Sequence, residues 1–121
     1  MMVGTLILIQ SCGNKDTSET SKIDVPENVT YSEHIAPIIY KNCTPCHRNN
    51  SAGPFNLTSY SEVQSKAKTI VKVTQSRFMP PWPADPTYTS FKDERRLSVT
   101  EFAMLSKWQE NGCPIGDEKN I

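Results

Sequence analysis

Cys43-Thr44-Pro45-Cys46-His47 is the stretch on which the reading of this chain turns. It has the spacing C-x-x-C-H, the attachment pattern of a c-type haem. Two cysteines three residues apart on one helical turn can each form a thioether to a vinyl group of the same porphyrin. The next residue, His47, then reaches the iron through an imidazole nitrogen. One short segment supplies both covalent anchors and the proximal ligand. Three other chemistries use parts of the same residues. A thioredoxin-like dithiol also has the form C-x-P-C, but it needs a strand leading into the first cysteine. A zinc site would combine Cys43, Cys46 and His47 with Cys113, yet adjacent Cys46 and His47 sit awkwardly on one tetrahedral ion. A structural disulfide between helical cysteines three apart has poor geometry.

The residues before the motif favour haem. Thr30 and Glu33 have capping-box spacing, and Ile35, Ile38 and Ile39 follow at helical intervals. They predict a helix over about 31–42 that ends at Cys43, with Pro37 bending or weakening it. Ser59 and Glu62 form a second box, followed by Val63, Ala67, Ile70 and Val71, for a helix over roughly 60–75. Ser98 and Glu101 form a third, followed by Phe102, Leu105 and Trp108 on one face, with Gly112 as the stop, for a helix over roughly 99–111. The loops 49–58 and 77–96 show no strand alternation. Three helices with loops this long make a poor core unaided, and such loops are usually functional or wrapped around something.

A haem held by His47 has a sixth iron position, for which Met79, Met104 and His34 are candidates. Met79 lies in Phe78-Met79-Pro80-Pro81-Trp82-Pro83, where Pro80 disfavours the helical conformation at Met79 and the prolines stiffen the segment. That is how a flexible thioether is held in one place. Met104, beside Leu105, reads as a core side chain. His34 precedes Cys43 by nine residues, on the order of 13 Å along a helix, and reads as exposed or capping. Met79 is therefore the expected distal ligand. Phe55, Leu57, Ile70, Phe78 and Trp82 are expected to line the ring.

The chain begins with an apolar run, Val3 to Ile9, then Gln10-Ser11-Cys12. The run is shorter than the roughly 18 apolar residues of a membrane-spanning helix and suits a signal-peptide core. Ser11-Cys12 resembles the lipobox of bacterial lipoproteins, which implies lipidation of Cys12. Residues 13–28 have linker composition. The expected organisation is a signal and flexible tether at 1–28, one domain at 29–116 and a short tail at 117–121.

Across 121 residues, 36% are hydrophobic and 21% charged, too polar a balance for a large core. Thirteen basic and thirteen acidic residues cancel, so no basic footprint points to nucleic acid. Nine prolines in so small a chain call for a staple such as a disulfide, a metal or a cofactor. Within 31–116 there are ten basic and seven acidic residues, and Lys68, Lys72 and Arg77 form a basic group before the Met79 loop. Glu62 and Lys66, at i,i+4, are expected to pair.

Together, Cys43-Thr44-Pro45-Cys46-His47, the following Gly53-Pro54-Phe55-Asn56-Leu57, the Met79-Pro80-Pro81-Trp82 loop and the closing Trp108…Asn111-Gly112-Cys113-Pro114-Ile115-Gly116-Asp117 resemble a small bacterial mono-haem cytochrome c. They are similar to the cytochrome c modules of Bacteroidetes- and Planctomycetes-type proteins. The resemblance implies an all-α, cytochrome c-like fold in which the first and last helices cross and one haem c fills the space between helices and loops. At Cys113 such modules often have a small, unreactive residue, so Cys113 is expected as a small buried side chain.

The expected function is one-electron transfer with His/Met ligation in the periplasm or on the outer face of a bacterial membrane, by a monomeric carrier that is not an enzyme. Its partners would be a redox protein donor and acceptor, and a membrane through the lipid anchor. The alternatives are a haem c protein with an open or labile sixth site, serving peroxide chemistry or small-ligand sensing, and a domain serving a membrane enzyme complex.

Overall fold

The structure is a computed structural model that describes residues 23–81, 84–85, 87–89 and 91–121. Cys12 and Trp82 lie outside the described residues. The fold is all-α: three helices and, among the described residues, no strand. None of the described helices is long and apolar enough to cross a membrane.

Helix α1 opens with a π-helical turn, Tyr31–Ile35, and continues as an α-helix, Ala36–Asn42. The capping box expected at Thr30 does not form, and no side chain caps this end. The wide first turn brings both the His34 and Ile35 N–H groups to the Thr30 carbonyl. It is then His34, not Glu33, that reaches back, with Nδ1 accepting from the Thr30 N–H at 3.2 Å. Pro37 lies just after the π-helical turn, so the regular i→i−4 pattern is lost on its N-terminal side.

Helix α2, Tyr60–Gln75, and helix α3, Val99–Glu110, start at the two remaining boxes, both of which form completely. Glu62 is turned back to its cap: Oε2 accepts from Thr58 N, Thr58 Oγ1 and Ser59 N at 2.8, 2.9 and 3.0 Å. The expected ion pair with Lys66 is therefore not made, because the same carboxylate cannot face both ways along the helix. Gly112, at φ +80°, turns the chain out of α3.

The core gathers where α1 and α2 pack on α3. Tyr31, Ile35, Ile39, Val63 and Leu105 are fully buried beside Trp108. The rings of Tyr31 and Tyr60 meet edge-on at 5.2 Å, and Tyr31 lies 6.0 Å from Trp108. Phe102, expected on the inner face with Leu105 and Trp108, is only half-buried and faces Ile23 and Val25. Val25 packs on the core, and Lys107 Nζ donates to the Pro26 carbonyl at 2.9 Å, so the packed chain reaches upstream of residue 29.

The segment after α3 folds back onto the start of α1. Tyr31 N–H donates to the Pro114 carbonyl at 2.9 Å and Ser32 N–H to that of Ile115 at 3.0 Å. Trp108 Nε1–H shares the Pro114 carbonyl, and the Tyr60 hydroxyl donates to that of Cys113. Cys113 is a small buried core side chain, as expected, and burial pushes its thiol up. Asp117 caps a short 3-10 turn, Glu118–Asn120.

Candidate functional site: an apolar cavity around Cys43, Cys46 and His47

The C-terminal end of α1 runs directly into the motif. Cys43 N–H still bonds to Ile39, and the next turn is closed by Cys46 and His47 N–H groups donating to the Cys43 carbonyl at 3.1 and 2.9 Å. The loop that follows doubles back and locks this turn. Gly53 N–H donates to Cys46 and Leu57 N–H to His47, both at 2.8 Å. The Thr44 hydroxyl reaches the Leu57 carbonyl at 2.8 Å, and that of Ser51 reaches Pro45 at 3.1 Å.

His47 is 8% exposed. Its Nδ1 lies 3.1 Å from the Phe55 carbonyl oxygen. A carbonyl only accepts, so Nδ1 is the donor, and in the neutral ring the lone pair is then on Nε2. The Phe55 ring packs on the imidazole at 4.6 Å between centroids. Gly53 closes another side. A Cβ there would lie 2.7 Å from both the Cys46 carbonyl oxygen and His47 Nδ1, so this position accepts only glycine without a shift. The imidazole is thus oriented by backbone and ring together, as ligating histidines are.

Cys43, Cys46 and His47 line one cavity of about 760 Å³, within the range of roughly 300–1,000 Å³ typical of ligand and cofactor sites. Leu57, Ile70 and Val73 give it a largely apolar wall, and Phe55, Phe78 and Met79 also line it. Every described residue expected to anchor, ligate or line a ring therefore faces the same space. Met79 is held at the end of α2 by its N–H bond to Val73 at 3.0 Å. Phe78 is 68% exposed and stands at the mouth rather than inside. Met104 packs against the core and is absent from the cavity wall. His34 is likewise absent, occupied at the start of α1.

Burial first, and then the neighbouring Cys46, push the Cys43 thiol up to about 11. Redox-active dithiols need the opposite, a thiol lowered at a helix N-terminus, whereas Cys43 sits at a helix C-terminus. No group of three or more His, Cys, Asp or Glu side chains among the described residues is arranged to hold a bare metal ion. Cys113 does not line the cavity, so the Cys43–Cys46–His47–Cys113 set is not assembled. Cys43 and Cys46 are free thiols rather than a disulfide.

Sequence reasoning missed Gly53, Thr44 and Asn42. Asn42 is buried in the cavity wall, where Nδ2 donates to Ile38 and Oδ1 has no protein partner among the described residues. Thr74, also in the wall, has its hydroxyl satisfied by the Ile70 carbonyl at 2.8 Å. Arg96 ties two cavity-lining residues together, bonding to the Ala84 carbonyl and pairing with Glu94 at 2.5 Å. No protein-family model, curated protein or solved structure matches this chain.

Proposed function

We propose that this chain is a c-type mono-haem electron carrier with a cytochrome c-like fold. The observation that carries the reading is the meeting of two free thiols, an imidazole with its Nδ1 already engaged, and a thioether in one apolar cavity. The residues fit the group. Cys43 and Cys46 would hold a porphyrin covalently, His47 Nε2 would be the proximal ligand and Met79 Sδ the distal one. When bound, haem supplies reversible one-electron chemistry, and His/Met ligation raises its potential.

The remaining roles fall to the chain itself. Phe55 fixes the imidazole through its carbonyl. The apolar wall keeps water away, which limits the cost of rearrangement when charge changes. Ile70, Val73 and Thr74 form the α2 side of that wall. Exposed Lys72 and Arg77 flank the cavity-lining stripe of α2 and would favour acidic redox partners, whereas Lys68 lies farther round the helix. Cys12, by its resemblance to a lipobox, would anchor the carrier to the cell envelope. A Cys12→Ser protein is then expected in the soluble fraction with an unchanged visible spectrum.

The test is expression with a haem c maturation system, followed by denaturing acid extraction. Colour that stays on the polypeptide, and is lost in Cys43→Ala/Cys46→Ala, supports the assignment. Haem that extracts freely overturns it. Carbon monoxide separates the saturated carrier from an open-site sensor or peroxide-active protein: a reduced spectrum insensitive to the gas is expected.

A further inference from the structure

Against the Phe55 ring stands an exposed residue with no role so far. Lys66 Nζ stands 5.3 Å from the centroid of the Phe55 ring, whose own packing partner is His47. Lys66 and His47 thus both lie against the Phe55 ring. Lys66 shares a stripe of α2 with Thr69, Ile70 and Val73, which line the cavity, so the helix register itself aims it there. The acid four residues earlier does not pair with it: Glu62 Oε2 accepts from three donors at the cap instead. Among the described residues Lys66 makes no ion pair.

We propose that Lys66 is a positioning residue that sets the reduction potential of the site through Phe55. The inference rests on the haem assignment. A cation over the ring face is attracted by the ring quadrupole, so Phe55 holds the ammonium beside the site. The same positive charge disfavours an added positive charge on the His47 side of the ring, so it stabilises the reduced state and raises the potential. The ammonium is exposed, so its influence is screened by salt.

The experiment measures midpoint potentials of the haem-loaded full chain in the wild type, Lys66→Arg, Lys66→Gln and Lys66→Glu, at low and high ionic strength. The potential is expected to follow charge. Arg should stay close to the wild type, Gln should lie lower and Glu lowest, with the spread narrowing in salt. In a Phe55→Leu background, which keeps the backbone carbonyl on His47 Nδ1, the effect of Lys66→Gln is expected to shrink. Equal potentials across the series overturn the inference, as does an order that ignores charge. Failure of the haem assignment shows separately, as polypeptide without covalent haem in every variant, and removes this inference with it.

Discussion

Gly53 lies so close against His47 that a single methyl group at its Cα would stand 2.7 Å from Nδ1 and 2.9 Å from Cγ. Neither partner can yield cheaply. The ring is held by the Phe55 carbonyl, and the other close neighbour is the Cys46 carbonyl itself. Gly53→Ala is therefore expected to destabilise the protein by about 1–3 kcal/mol through overpacking. It should also turn the imidazole. Urea unfolding reads the first effect, and an altered Soret spectrum of the loaded protein reads the second. A variant with wild-type stability and spectrum would show that the loop does not pin the ring.

The two candidate methionines differ in surroundings. Met79→Ala removes a thioether from the cavity wall, so the loaded protein should bind carbon monoxide and its potential should fall. Met104→Ala should leave the spectrum alone and cost about 2 kcal/mol, the low end for a core methionine, because Met104 is only partly buried. Exchanged phenotypes would move the distal ligand to α3.

Glu62 gives the fold an acid-sensitive joint. The Thr58 N–H, the Thr58 hydroxyl and the Ser59 N–H hold its carboxyl below the ordinary 4.5. Since the folded value is the lower one, its contribution is whole above about pH 4.5 and fades as pH falls through the depressed folded value. Glu62→Gln, which cannot ionise, should be less stable than the wild type at pH 7 and approach it near the acid end. Denaturant midpoints at several pH values measure the gap, and a constant gap would place the effect in packing instead of charge.

Much of this was legible locally. The start of α2 and of α3 follows from Ser–x–x–Glu spacing, because a capping box is closed within four residues and depends on little else. The same spacing at Thr30 misleads: the Thr30 N–H that Glu33 would accept is bound by His34 Nδ1, and the Tyr31 and Ser32 N–H groups go to carbonyls of residues 114 and 115, which no local pattern can reveal. Lys66 shows the same limit: its i,i+4 acid was visible, but not that the acid was already engaged. Met79 was singled out by the prolines after it, and it does line the cavity. Gly53 was not, because its contact with His47 exists only once the loop folds back over the motif.

Gly116 marks the other place where the chain admits no side chain. It has φ +82°, and a Cβ would meet Ser32 Oγ and come within 2.8 Å of Thr30 Cβ. Gly116→Ala combines strain with crowding and is expected to lose about 1–3 kcal/mol. Thermal melts check this. The visible spectrum of the surviving folded fraction should not change, because Gly116 does not line the cavity.

The pairing of Tyr31 and Ser32 with Pro114 and Ile115 also has a mechanical meaning. The two flanks of the helical unit are bonded directly to each other. A pull on both flanks loads this clasp together with the outer contacts of Val25 and of Pro26 with Lys107, and passes across the clasp instead of along the chain that carries the cavity wall. A neighbour tugging at either flank would strain two backbone hydrogen bonds and a tryptophan contact, while Cys43, His47 and Met79 keep their spacing.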